Sequence, residues 1–222
     1  MSIASTTGST GTWTSRPVTP RSATTSRSPP ISRWCAPSNV RILALSGNLR
    51  QGSHNADLLR GAAAAAPDGI EIEFYDGLKE IPPYDADDDG PAERPAAVER
   101  FKEALAEADG ILISTPEYNS SISGVLKNAL DWASRPLVES PVRNKPVAVL
   151  SSSTGMFGGV WAAAETRKVM GALGARALEE TVAVPKADVR LADGIDAELL
   201  AELRAVVDAL AAAVDTRAAI AA

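Results

Sequence analysis

Apolar positions along this chain fall into two alternating patterns. Short aliphatic runs are bounded by Gly, Pro or polar residues, and longer stretches repeat with a helical period. Val40-Arg-Ile-Leu-Ala-Leu-Ser46 reads as a strand and is followed by a helix from about Ser53 into the alanine run near Ala66. Pro67-Asp-Gly69 stops that helix. Ile70-Glu-Ile-Glu-Phe-Tyr75 alternates with period two, which predicts a strand with one exposed face near a sheet edge. A Pro/Asp-rich loop over 76–94 leads to a helix from about Pro95 to Ala108, and proline suits a helix start. Gly110-Ile-Leu-Ile-Ser114 predicts a buried strand, Gly124 to Ser134 a helix, and 136–145 a loop. Pro146-Val-Ala-Val-Leu150 predicts a fourth strand, Val160 to Leu173 a helix closed by Gly174, and Arg176 to Val184 a fifth strand. In the last helix Ile195, Leu199, Leu200, Leu203, Val206, Val207, Leu210 and Val214 share one apolar face.

Strands that alternate with helices force parallel pairing and right-handed crossovers. The expected fold is therefore α/β: a three-layer, doubly wound, five-stranded parallel sheet of order 2-1-3-4-5, flavodoxin-like in topology. Its switch point lies between the first and third strands, where ligands of such sheets bind. The loops after those two strands, 46–55 and 115–123, thus meet at one crevice.

Residues 1–38 break the pattern. They are rich in Ser, Thr, Pro and Arg and lack aliphatic periodicity, so a disordered leader is expected, with a single domain over 39–222. Their acid-poor composition also fits a transit peptide, but no amphipathic apolar stripe accompanies it. No apolar segment of a secretory signal follows the basic residues, and no apolar run is long enough to span a bilayer. The whole chain carries −6 and the leader's four arginines +4, so the rest carries −10, which argues against nucleic acid as a partner. One cysteine, Cys35, excludes an intrachain disulfide, and one histidine, His54, excludes a multi-histidine metal site. The expected setting is cytoplasmic.

The first loop offers Ser46, Asn48, Arg50, Ser53 and Asn55 as hydroxyl, amide and guanidinium donors at the start of a helix. A helix N-terminus has free N–H groups and a positive dipole end, and arginine adds a charge-assisted grip, so the chemistry fits a phosphate. The plain alternative is an ordinary N-cap beside a solvated arginine. Neither G-x-G-x-x-G nor a Walker lysine pattern occurs there. The second loop supplies Pro116, Glu117, Tyr118 and Asn119, whose backbone N–H groups suit the carbonyls and ring nitrogens of a planar ligand such as a flavin. The third, after strand four, contains Ser152, Ser153, Thr154, Gly155 and Gly158; its small residues permit close backbone approach. Lys127 and Asp131 are spaced to pair along a helix, and Trp132 reads as packing. Asp85-Ala-Asp-Asp-Asp-Gly90 opens like a calcium loop but has Ala96 where the bidentate glutamate belongs, so it reads as a solvated acidic loop.

Two of these segments resemble the NADPH-dependent FMN reductases, a flavodoxin-like family that includes quinone, chromate and azo-dye reductases. Gly47-Asn48-Leu49-Arg50-Gln51-Gly52-Ser53-His54-Asn55 is similar to its pattern G-S-L-R-x-x-S-x-N, and Pro116 to Trp132 to P-E-Y-N-x-S-x-P-G-x-L-K-N-A-x-D-W. The resemblance spans about Val40 to Val184. It implies bound FMN with Arg50, Ser53 and Asn55 at the phosphate, Pro116 to Asn119 beside the isoalloxazine and Ser152 to Gly158 on its other side. It also implies NADPH or NADH as co-substrate, a small-molecule electron acceptor, and a homodimer or homotetramer whose subunits meet near the flavins. Three positions depart from the family pattern: Asn48 for serine, Ser123 for proline, expected to loosen its loop, and Val160-Trp161 for Ala-Arg. The last bears on any NADPH 2′-phosphate contact, whereas Arg167 matches a common family arginine. The implied reaction is ping-pong hydride transfer by the flavin, with no acid–base dyad. A flavodoxin-type single-electron carrier, docking its acidic body to a basic partner, is the alternative; a flavin-storing or regulatory protein is a third.

Overall fold

The computed structural model describes residues 39–90 and 92–221, so the leader and Cys35 lie outside the described residues. Five strands form one parallel sheet of order β2-β1-β3-β4-β5: β1 (Val40–Ser46), β2 (Ile70–Tyr75), β3 (Gly110–Thr115), β4 (Pro146–Ser152) and β5 (Arg176–Val184). The doubly wound order is the one the pattern of elements predicts. The helices are α1 (His54–Ala65), α2 (Ala96–Glu107), α3 (Gly124–Ala133), α4 (Val160–Ala172), α5 (Ala187–Arg190) and α6 (Ala197–Ala221).

Strand periodicity assigns the two cores. In β1, Leu43 and Leu45 point to one side and pack with Phe101 and Leu105 of α2 and Leu126 and Leu130 of α3. Ile42 and Ala44 point to the other and meet Leu58 and Leu59 of α1 and Leu203 and Val207 of α6. β3 and β4 repeat the division, with Ile111, Ile113, Val147 and Val149 on the first side and Leu112, Ala148 and Leu150 on the second. Fully burying each such aliphatic side chain is worth about 1.5–3 kcal/mol before chain entropy is subtracted. β2 lies at the edge, and its Glu71 and Glu73 are exposed, as its alternation requires.

The structure departs from the sequence pattern in a few places. β4 runs two residues past Leu150, to Ser152, so its end reaches the crevice. Short 3₁₀ turns occupy Gly77–Glu80 and Leu137–Glu139, inside the two expected loops, and the four-residue α5 lies between β5 and the last helix. These turns are too short to leave a periodic signature. Leu200, assigned to the apolar face of the last helix, is exposed, because Leu199, Leu203, Val206, Val207 and Leu210 already fill the contact with α1 and the sheet. Ile195 precedes α6 and packs against the same core from the connecting turn.

The motif helix α3 also organises a distant loop. Asn128 Oδ1 accepts from the Tyr84 amide at 2.8 Å, Asn128 Nδ2 donates to the Pro82 carbonyl at 2.8 Å, and Trp132 Nε1 donates to the same carbonyl at 2.9 Å. Trp132 is fully buried and meets Tyr84 edge-on, so its role is packing. Lys127 and Asp131 form the expected i,i+4 pair at 2.6 Å. In the acidic 85–90 loop, Asp89 pairs with Arg94, which also pairs with Glu99.

Candidate functional site

The strands set the site by ending level. Ser46 stands opposite Ser114, and Thr115 opposite Ser151, so three carboxyl ends open on one edge of the sheet. An open cleft of about 190 Å³ lies there. Asn48, Arg50, His54 and Asn55 line it from the first loop, Pro116, Glu117 and Tyr118 from the second, and Ser152, Ser153 and Thr154 from the third. Ser46, Ser53, Asn119, Gly155 and Gly158 are outside that lining and belong to the supporting loops.

Asn48 shapes the first loop. Its Oδ1 accepts from the Arg50 amide at 2.8 Å, a local turn that leaves its NH₂ unspent. The Arg50 side chain is exposed and enters no ion pair among the described residues. Ser53 occupies the N-cap position of α1 without a capping side-chain bond; its buried hydroxyl finds no partner. Buried hydroxyls ordinarily do find one. Ser151 and Ser152 at the end of β4 likewise have buried, unpartnered hydroxyls, and Ser152 lines the cleft. Orphan hydroxyls, a positive helix end and an uncommitted arginine are the donor set that a phosphate monoester uses.

Asn55 has a different task. It is 2% exposed, and its Oδ1 accepts from Ser114 Oγ at 2.9 Å and from the Ser152 amide at 3.1 Å. Its Nδ2 donates to the Ser152 carbonyl at 3.3 Å. One side chain thus ties α1, β3 and β4 together directly beneath the cleft, leaving one amide hydrogen uncommitted.

The second loop is a tight turn. Asn119 and Ser120 both have left-handed backbone conformations (φ 54° and 61°), and Tyr118 and Ser121 exchange two backbone bonds of 3.1 Å across them. Two carboxylates anchor it to α4. Glu117 Oε2 accepts from the amides of Trp161 and Ala162 at 3.1 and 3.2 Å. It thereby supplies the cap that Gly159, at the N-cap position of α4, cannot. Glu165 Oε2 accepts from Ser121 Oγ at 2.7 Å and the Ile122 amide at 3.1 Å. The Ser121 hydroxyl, then the Ile122 amide, hold the Glu165 carboxyl below the ordinary range.

Ser123 does not loosen its loop, contrary to what replacing proline implies. Buried to 1% exposure, it accepts from the Leu126 amide as the α3 cap and donates to the Gly47 carbonyl at 2.6 Å. Gly47 is itself wedged: a Cβ there would lie 3.1 Å from both Leu126 Cδ2 and Pro116 Cδ. The third loop is held by Ser153, whose Oγ accepts from the Gly155 amide. The close approach made at Gly158 is to the end of β5, where a Cβ would stand 2.8 Å from the Val184 carbonyl carbon and the Pro185 nitrogen. An aromatic rim stays exposed on the second loop and around the start of α4: Tyr118, which lines the cleft, at 51%, Phe157 at 57% and Trp161 at 49%, the last two edge-on with centroids 4.9 Å apart. Of these contributions, the Glu165 anchor and the bracing role of Asn55 left no trace in motif spacing, because each depends on which helix packs beside which loop.

An open parallel sheet with three polar loops meeting at the carboxyl ends of its strands, one of them carrying donors of the kind an anion takes, has the architecture of a flavodoxin-like mononucleotide-binding protein. The chain belongs to the NADPH-dependent FMN reductase family, whose model matches residues 40–189. It is 48% identical over 120 residues to the NAD(P)H-dependent FMN reductase of Pseudomonas aeruginosa, an alignment that covers 54% of this chain and 63% of that protein. It is 40% identical over 131 residues to a quinone reductase of Escherichia coli, covering 59% of this chain and 69% of the relative. Among solved structures, the flavoenzyme NAD(P)H:(acceptor) oxidoreductase FerB of Paracoccus denitrificans superposes with a TM-score of 0.70 at 28% identity, over 80% of this chain and 98% of that one.

Proposed function

We propose that this protein is an NAD(P)H-dependent, FMN-containing oxidoreductase that reduces a small-molecule acceptor, with quinones the best-supported class. The observation that carries the proposal is the placement of Arg50, Asn48 and the α1 N-terminus at one end of a cleft whose other walls are Pro116–Tyr118 and Ser152–Thr154. Relatives named as FMN and quinone reductases support it. The residues present fit FMN. Arg50, the N-terminus of α1 with Ser53, and the free amide hydrogens of Asn48 and Asn55 would hold the phosphate. The backbone of Pro116 to Asn119 would border the ring system, with Ser152, Ser153, Thr154, Gly155 and Gly158 forming the facing loop and Ser46 closing the base. The chemistry FMN supplies when bound is the passage of hydride equivalents from reduced nicotinamide to the acceptor.

The chain's own residues bind, orient and shield. Arg50 supplies charge, Asn55 fixes the floor, and the anchored 116–123 loop presents its amides in a set geometry. The exposed aromatic rim suits planar apolar molecules, which favours quinones over oxyanions as acceptors. The same rim suits burial between two copies, in keeping with a homodimer or homotetramer. No helix among the described residues is long and apolar enough to cross a membrane, and we place the protein in the cytoplasm.

The deciding measurement is anaerobic. Purified protein reconstituted with FMN should bleach on addition of NADPH or NADH and recover its colour with a quinone. FMN-loaded protein that neither nicotinamide reduces would favour the second reading, a single-electron carrier, which the −10 body supports.

A further inference from the structure

We infer that Glu165 is a positioning residue for the FMN site, acting with Glu117 as a reciprocal clasp between the 116–123 loop and α4. The inference rests on the FMN reading above and adds Glu165, which lies outside both family motifs, to the motif residues Glu117 and Ser121. Its geometry is two-way. Glu117, immediately before the Tyr118–Ser121 turn, reaches across to the first amides of α4. Glu165, one turn further along α4, reaches back to Ser121 and Ile122, immediately after it. Both legs of the turn are therefore held to one helix, and the two residues between them, Asn119 and Ser120, keep left-handed conformations that L side chains seldom adopt unforced.

Each carboxylate sits where its charge is welcome. Glu117 lies at the positive end of α4. Glu165 takes both bonds on a single oxygen from a hydroxyl and an amide, and Lys127 and Lys168 lie close enough to favour its ionised form. Freed from the clasp, the loop would lose the fixed direction of its amides. It would have to be ordered by FMN itself, and that ordering would be subtracted from affinity. Because Glu117 also bonds the Trp161 amide, the clasp sets the loop and the aromatic rim relative to each other.

The test is FMN titration by flavin fluorescence quenching, run on apo wild type, Glu165→Ala, Glu165→Gln and Ser121→Ala, with the apo melting temperature and the visible spectrum of the bound flavin recorded for each. Glutamine keeps an oxygen that accepts both bonds, so Glu165→Gln should bind FMN within about threefold of wild type, while Glu165→Ala should bind about tenfold more weakly, the value of a lost charge-assisted bond. The flavin band should shift in the alanine variant and return in the glutamine variant, a rescue that a general loss of stability would not produce. If Glu165→Ala does not fold, Ser121→Ala, which deletes one hydroxyl, should still weaken FMN by about threefold. Unchanged affinity in Glu165→Ala, or in Ser121→Ala where it alone folds, overturns the inference. So does a glutamine variant as weak as alanine. Wild type that takes up no FMN removes the functional reading as well, whereas wild type that binds alongside an equally tight Glu165→Ala removes only the clasp.

Discussion

The Ser123 hydroxyl donates to the Gly47 carbonyl at 2.6 Å, so the loop after β3 is stitched to the loop after β1. The same oxygen caps α3 by accepting from the Leu126 amide. Ser123→Ala removes both bonds and leaves a buried carbonyl without its donor. It should cost about 1–2 kcal/mol, a fall of roughly 2–4 °C in Tm per kcal/mol for a chain of this size. Thermal denaturation of the apo protein checks this; an unshifted Tm would mean that the stitch contributes nothing.

Arg50 separates binding from folding. Its side chain is exposed and makes no hydrogen bond to the protein among the described residues. Arg50→Ala should leave the apo Tm within about 1 °C and weaken FMN by roughly tenfold to a hundredfold, the value of charge-assisted bonds to phosphate. Wild-type affinity should also fall with added salt more steeply than the variant's. Isothermal titration at two salt concentrations measures both effects, and equal affinity in the two proteins would remove Arg50 from the phosphate.

Asn55 should behave in the opposite way. Replacing it with alanine strands the Ser114 hydroxyl and the Ser152 amide in the interior. The expected loss is about 3 kcal/mol or more of apo stability, since each buried orphan costs about 1–3 kcal/mol. Urea unfolding without FMN reads this directly. A variant that is impaired only in FMN binding would show that the brace is dispensable.

Lys145 gives the fold a pH signature. It is buried, and its ammonium donates to the carbonyls of Ala106, at 2.8 Å, and Ala108 at the end of α2. Burial, aided by Arg217 and opposed by Asp109, lowers its pKa to about 8 from an ordinary 10.5. Between those values the unfolded chain holds more protons than the folded one, so stability should rise with pH across that window. Tyr75, whose burial raises its phenol, acts in the opposite sense only above its ordinary value of 10. Urea midpoints from roughly pH 8 to roughly pH 9.5 avoid that range, and Lys145→Met should reduce the rise, leaving the share of Lys102, which burial also lowers.

The alternation of strands with helices was enough for the sheet order, because it forces parallel pairing and the doubly wound arrangement, and the apolar runs of β1, β3 and β4 mark the central strands. The edge position of β2 was legible in Glu71 and Glu73 alone. The loops that form the cleft were legible because serine, asparagine and arginine cluster at the ends of two strands that the topology must bring together. The anchors were not. Glu117 was legible only as part of the second loop and Glu165 only as an ordinary surface acid 48 positions on, since their anchoring role comes from the packing of α4 beside that loop. Asn55 sits inside a recognisable motif, yet its partners Ser114 and Ser152 belong to other strands, so the motif suggested a phosphate role and gave no sign of the bracing one. Ser123 misled for the same reason: read as a lost proline it implies looseness, and only the nearby Gly47 carbonyl reveals the gain.

Phe157 and Trp161 touch each other, and the Trp161 main chain donates to Glu117 in the second loop. Their side chains, like that of Met156, project outward without supporting the sheet. Exchanges at these three positions therefore spare the scaffold beneath, which makes them the natural starting library for altering the surface beside the Glu117 loop at little cost in stability.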